Sequence, residues 1–292
     1  MIVFFMTACH LPGLPGSSEG TIKIAGFSST EGNTMLEIVA QLIEEETDYE
    51  VERIRNLGSS YMMHQALRRG DTDISAVNYT GNDYVVILGY EAENDPTKVY
   101  ETVRDEYREM YNWKYYPTYG FENTYAFIVT EEFASENNIR SVSDLEAIAG
   151  DLKVGTDPQW PNRAGDGYEA FKEIYGFEIG DLVPMNIDLV YDALISGSVD
   201  AIVGYTTDGR IPSYGLTVLE DDRGIFPAYD AIATAKQDTL DDFPGVDEVI
   251  SRLEGKISTE KMQEFNYEGS HNLREPVDLA REFLKEHNYF RD

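Results

Sequence analysis

Two widely separated stretches of this chain end a helix, turn and enter a strand in the same way. Ala66-Leu67-Arg-Arg-Gly70-Asp-Thr-Asp73-Ile and Ala193-Leu194-Ile-Ser-Gly197-Ser-Val-Asp200-Ala both read A-L-x-x-G-x-x-D before an apolar run. Glycine supplies the left-handed turn that closes an amphipathic helix, and the acidic residue leads into a buried strand. A chain that does this twice is directed toward two similar α/β lobes.

The flanking pattern agrees. Residues 21–26 (TIKIAG) read as a strand, residues 28–30 offer capping side chains, and Met35, Val39, Leu42 and Ile43 recur at helical spacing. A strand over 49–54, a helix over 61–69 and a strand over 74–77 follow. Farther on, 141–145 resembles a helix start, 152–155 a strand, 167–174 a helix and 201–204 a strand. Residues 239–287, with Val246, Val249, Ile250 and Leu253 on one face, predict helices that return to the first lobe. The expected division is 21–125 plus 231–292 for lobe I and 126–230 for lobe II.

With 42% apolar residues in 292, the chain has ample material for a buried core. Its 23 basic against 54 acidic residues give a net charge of −31 with no polybasic run, which disfavours nucleic acid and anionic lipid as partners. No stretch reaches the roughly 18 apolar residues of a membrane-spanning helix.

Residues 1–9 form an apolar run ending in Thr7-Ala8-Cys9, the only cysteine of the chain. This looks like the remnant of a bacterial lipoprotein signal with Cys9 as the lipidated residue. The missing basic flank places the true start upstream of Met1. Residues 10–20, rich in Pro, Gly and Ser, read as a flexible tether. The expected location is therefore the extracytoplasmic face of the cell membrane, held by the lipid alone.

Enzyme signatures do not survive inspection. Gly16-Ser-Ser18-Glu-Gly20 matches a serine-hydrolase pattern but lies in the tether with no strand before it. His10, His64, His271 and His287 are scattered without metal-ligand spacing and read as surface residues. No glycine-rich phosphate loop occurs. Neither a cofactor, a metal nor a catalytic residue is expected.

Tyrosine stands out instead, with 20 in the chain. Tyr79, Tyr125, Tyr205 and Tyr229 each sit among turn residues and small polar groups where a strand should end. Ligands of open α/β sheets bind beyond the carboxyl ends of strands, so these four are candidates for one cleft.

The segments Asn78-Tyr-Thr-Gly81, Tyr119-Gly-Phe-Glu-Asn-Thr-Tyr-Ala-Phe127, Gly165-Asp-Gly-Tyr168, Leu189-Val-Tyr-Asp-Ala193, Tyr205-Thr-Thr-Asp-Gly-Arg210 and Leu273-Arg-Glu-Pro276 resemble, in the same order, the substrate-binding lipoproteins of osmoprotectant ABC importers. The resemblance runs from Thr21 to the C-terminus. It implies a two-lobe periplasmic-binding-protein fold of type II, α/β, with two hinge crossovers and a ligand cleft between the lobes. It further implies capture of choline, glycine betaine or carnitine in a cage made of Tyr79, Tyr125, Tyr205 and Tyr229, and delivery to a permease driven by a separate ATPase. Asn123 and Asn82 map to the polar end of the ligand, and Phe27 to a position where many relatives carry glutamine. On this mapping Tyr79 and Tyr125 belong to the first lobe or its hinge and Tyr205 and Tyr229 to the second, and the receptor is a monomer. The alternatives are a binding protein for another small amine or zwitterion, a secreted enzyme acting on choline-like compounds, and a structural adhesin.

Overall fold

The computed structural model describes residues 20–163 and 165–290. Residues 1–19, and with them Cys9 and nearly all of the expected tether, lie outside the described residues.

Among the described residues, ten strands form two five-stranded sheets. The first holds β1 (Thr21–Phe27), β2 (Glu50–Leu57), β3 (Ile74–Tyr79), β4 (Trp113–Tyr115) and β10 (Ala231–Lys236) in the order β2-β1-β3-β10-β4. The second holds β5 (Tyr125–Thr130), β6 (Lys153–Thr156), β7 (Asp181–Pro184), β8 (Ala201–Tyr205) and β9 (Leu216–Val218) in the order β7-β6-β8-β5-β9. In each sheet three parallel strands are followed by an antiparallel one, so β7, β6, β8, β5 and β9 repeat the places of β2, β1, β3, β10 and β4.

The repeated motif explains part of this likeness. Gly70 closes helix α2 (Ser60–Arg69) at φ 79°, and Gly197 turns at φ 70° after the helix Ile187–Ile195. The aspartate three residues later stitches the sheet. Asp73 Oδ2 accepts the N–H of Lys23 at 3.0 Å, and Asp200 Oδ2 accepts that of Lys153 at 2.9 Å. Each carboxylate thus holds the neighbouring strand, β1 or β6, through a charge-assisted bond to its backbone.

Helix α1 (Thr30–Glu46) is capped by Ser29, whose side chain accepts from Gly32 N at 3.0 Å, and buries Met35, Val39, Leu42 and Ile43 against the first sheet. The tail helices Val246–Ser251, Thr259–Ser270 and Pro276–Glu286 pack Val249, Ile250, Phe265 and Phe283 into the same core. The second lobe has its own core around Trp160, Phe127, Phe171 and Tyr175. Two crossovers join the lobes, one through Glu122 and the other through Asp230, and the two residues pair as an antiparallel bridge.

Three sequence expectations need correction here. Tyr125 is the first residue of β5 and pairs with Tyr205, so it belongs to the second sheet rather than the first lobe. Tyr229 packs into the first lobe's core, two residues before β10, rather than into the second. The crossover strands exchange lobes one or two residues away from the expected boundaries at 125 and 230, and the two rings go with them. His64, expected at the surface, is 4% exposed among Tyr107, Tyr111 and Trp113, and burial holds its imidazole down to about 4. Among the described residues, no helix is long and apolar enough to cross a membrane.

Candidate functional site

The duplicated topology delivers the four tyrosines as two matched pairs. Tyr79 ends β3 and Tyr205 ends β8, its counterpart in the second sheet; Tyr229 precedes β10 and Tyr125 opens β5, again counterparts. All four line one cavity of about 170 Å³, together with Asn82, Asn123, Thr124, Gln159 and Arg163. That is below the roughly 300–1,000 Å³ typical of pockets for drug-sized ligands, so the occupant is small.

A buried carboxylate holds tyrosine in each half: one ring in the first lobe, two in the second. In the first lobe, Glu31 is 3% exposed and accepts a hydrogen bond from the Tyr79 hydroxyl. Burial and the charge of Glu31 raise the Tyr79 phenol well above its ordinary value. In the second, Asp157 Oδ2 accepts from Tyr125 at 2.6 Å and from Tyr205 at 3.2 Å, while Oδ1 accepts the backbone N–H groups of Gln159 at 2.6 Å and Trp160 at 2.9 Å. The Tyr125 and Tyr205 rings lie 4.9 Å apart, 26° from parallel. Glu31 follows β1 and Asp157 follows β6, so these carboxylates too occupy corresponding ends of the two sheets.

Tyr229 is held differently. Its hydroxyl donates to Asp166 Oδ2 at 3.2 Å and accepts from Arg163 at 2.6 Å, and Arg163 Nε in turn donates to Asp166 Oδ1 at 2.6 Å. Burial and the Asp166 charge push its phenol up to about 12, against the lowering effect of Arg163. The guanidinium carbon lies 5.4 Å from the Tyr125 ring centre and 5.9 Å from that of Tyr229, within cation–π range of both. A Cβ added to Gly81 would stand 2.8 Å from the Tyr229 ring, so only glycine lets that ring lie against the turn after β3.

Asn82 and Asn123 line the cavity as the sequence reading expects, but Phe27 does not. Its ring stacks on Tyr79, with centres 5.8 Å apart and planes 14° from parallel, and so backs a cavity wall. Sequence reasoning missed Glu31, Asp157, Gln159, Arg163 and Asp166. The one available signal was position: Glu31 and Asp157 each come just after the first parallel strand of a lobe, where α/β ligand sites form.

A second cavity of about 470 Å³ adjoins the first and shares Asn123 and Tyr205 with it. Glu31, Asn266 and Tyr267 face Asp188, Asp192, Asp208 and Arg210 across it. The lobes touch along its rim, where Asn266 Nδ2 donates to Thr207 O at 2.8 Å and Gln263 Nε2 to Thr206 O at 2.8 Å. Among the described residues, no group of three or more His, Cys, Asp or Glu side chains is placed to hold a metal ion.

Residues 20–286 match the family model of the substrate-binding domain of the ABC-type glycine betaine transport system. This chain belongs to that family. As a member, it is the substrate-binding domain of an ABC-type transport system, and its two sheets are the two lobes of the periplasmic-binding-protein fold. The carnitine transport binding protein OpuCC of Listeria monocytogenes is 44% identical over 286 residues, covering 98% of this chain and 93% of that protein. The crystal structure of a glycine betaine/carnitine/choline ABC transporter protein superposes with a TM-score of 0.88 at 42% identity, over 92% of this chain and all of the other. Ligand-free YehZ from Escherichia coli shares the fold at 22% identity, with a TM-score of 0.78 over 92% of this chain and 99% of that one.

Proposed function

We propose that this domain captures a small quaternary ammonium compound between its lobes and presents it to a membrane permease powered by a separate ATPase. One observation carries the reading: four tyrosines from two lobes line a single small cavity while their hydroxyls are engaged by Glu31, Asp157 and Asp166. With their hydroxyls occupied, the rings meet a ligand through the ring surface that lines the cavity. A quaternary nitrogen, which has no N–H to donate, asks for nothing else. Each cation–π contact contributes about 0.5–2 kcal/mol depending on desolvation, so four suffice for roughly micromolar capture after the costs of association.

Asn82, Asn123 and Arg163 take the polar end of the ligand. The Arg163 guanidinium favours a carboxylate there, and hence glycine betaine or carnitine over choline. The relative named as a carnitine transport binding protein points the same way. Ligand bridging Tyr79 and Tyr229 of one lobe to Tyr125 and Tyr205 of the other stabilises the closed arrangement of the lobes. Cys9 carries the lipid that holds the monomeric receptor at the extracytoplasmic face. The ligand leaves unchanged, as befits a substrate-binding domain.

Calorimetric titration with choline, glycine betaine, carnitine and unmethylated glycine tests this reading. Saturable binding of one or more methylated compounds, with none for glycine, is the expected result. Binding of glycine with indifference to methylation would replace the cage by an ordinary amine site.

A further inference from the structure

The stretch Tyr205-Thr-Thr-Asp-Gly-Arg210 does more than end β8 with a ring of the cavity. Asp208 accepts from the backbone N–H of Arg210 at 2.9 Å and from its guanidinium at 2.9 and 2.7 Å. The guanidinium carbon lies 4.1 Å from the Tyr191 ring centre, and the Tyr191 hydroxyl accepts the N–H of Tyr205 at 3.0 Å. Charge-assisted bonds thus hold the turn in one shape, and Tyr205 moves with it. This turn of lobe II rests on the helix Thr259–Ser270 of lobe I. Gln263 and Asn266 donate to the carbonyls of Thr206 and Thr207, each at 2.8 Å. A Cβ on Gly209 would stand 2.5 Å from Tyr267 N and 2.6 Å from Gln263 O, both backbone atoms of that helix. Its φ of −68° suits any residue, so the glycine is there for space and not for backbone shape. Asn266 Nδ2 also donates to Glu31 Oε2 at 3.1 Å, and Glu31 is the carboxylate that holds Tyr79. One amide therefore ties the support of a lobe I ring to the turn that carries a lobe II ring.

We propose that Gly209, Gln263 and Asn266 are positioning residues for ligand capture: they form a seat on which lobe II comes to rest, and so set Tyr125 and Tyr205 at their working distance from Tyr79 and Tyr229. This rests on the reading that ligand is captured between the lobes by the four tyrosines. None of the three lines the tyrosine cavity, so they act on the closed arrangement and not on the ligand. The stop is backbone against backbone at Gly209, which a packed helix cannot yield to as a flexible side chain would. A protein whose binding-competent arrangement is only fractionally populated binds every ligand more weakly by that fraction. Loss of a seat bond therefore scales all affinities alike, whereas loss of a ring changes them compound by compound.

The test uses Gly209→Ala and Gln263→Ala with carnitine and glycine betaine as probes, read by calorimetry and by small-angle X-ray scattering. With saturating ligand the wild type should adopt the compact arrangement of this structure. In Gly209→Ala the added methyl meets helix backbone, so the ligand-bound form stays wider than the wild type and affinity falls about tenfold or more. Gln263→Ala introduces no clash and removes one bond between the lobes. It should weaken every compound that the wild type binds by one common factor, roughly twofold to tenfold. A merely structural role would lower the melting temperature while leaving affinity and the compaction of the bound form alone. Wild-type affinity in folded Gly209→Ala, or full compaction of that variant with ligand, overturns the proposal and leaves the cage in place. A Gln263→Ala variant whose loss is absent, or differs between the compounds, overturns it too, and this variant decides if a melting curve shows that Gly209→Ala does not fold. Failure of the wild type to bind either compound removes the cage reading, and the seat with it.

Discussion

The two lobes share a sheet order and a helix-turn-strand motif, yet they hold the tyrosines that line the shared cavity by different means. Lobe I packs an aliphatic core of Ile22, Ile24, Leu36, Ile38 and Val39 behind β1, and one carboxylate, Glu31, serves one ring, Tyr79. Lobe II packs an aromatic core of Phe127, Trp160 and Phe171, and one carboxylate, Asp157, serves two rings and two backbone N–H groups. Duplicated topology fixes where a ligand can bind; the side chains that immobilise the site are chosen separately in each copy. The Asp157 half is the more concentrated of the two, and a single change should damage it more.

The largest effect is therefore expected from Asp157→Ala. It leaves two tyrosine hydroxyls and two N–H groups without their acceptor, at a cost of about 2–4 kcal/mol in unfolding free energy, and ligand affinity falls by well over tenfold. Denaturant unfolding and calorimetry measure the two losses; a cost equal to that of Glu31→Gln would erase the asymmetry between the lobes. Next comes Tyr205→Ala, which removes one ring and should weaken ligand binding about tenfold or more with the fold intact. Unchanged affinity would remove Tyr205 from the cage.

Gly81→Ala probes the first lobe without removing a polar group. The added carbon meets the Tyr229 ring and the carbonyl of Ala228, each at 2.8 Å, so Tyr229 must shift. The variant should lose about 1–3 kcal/mol of stability and severalfold in affinity. An affinity loss without any change in melting temperature would mean that the ring moves freely.

The smallest effect is a pH dependence confined to the first lobe. Burial pushes the Asp83 carboxyl up to about 7, against the lowering effect of the Tyr115 hydroxyl 2.9 Å away. A raised carboxyl binds its proton more tightly in the folded state. Its contribution to stability is full below the unfolded value near 4 and is lost as pH rises through about 7. Asp83→Asn should flatten the fall in melting temperature between about pH 4 and about pH 7. An identical pH profile in wild type and variant would show that Asp83 does not titrate in that window.

The alternation of strand and helix was legible because apolar spacing reports it directly, and the repeated A-L-x-x-G-x-x-D exposed the duplication. The tyrosines were legible because each stands at a strand end among turn residues. The carboxylates that hold them were not, since Glu31, Asp157 and Asp166 are three among 54 acidic residues and nothing local marks a buried one. The lobe membership of Tyr125 and Tyr229 was misread for a related reason: where a crossover changes sheets is set by pairing with Tyr205 and by packing in the first core, both distant in sequence. His64 was misread because its aromatic surroundings come from residues 107, 111 and 113, well down the chain.

The central claim is that two half-cages, one from each lobe, close on a single cation. A crystal structure with a bound trimethylammonium ligand tests it most directly. The account predicts the quaternary nitrogen within about 6 Å of the ring centres of Tyr79, Tyr125, Tyr205 and Tyr229 together. A nitrogen seated in the neighbouring cavity beside Asp188 and Asp192, with the four rings untouched, would contradict it.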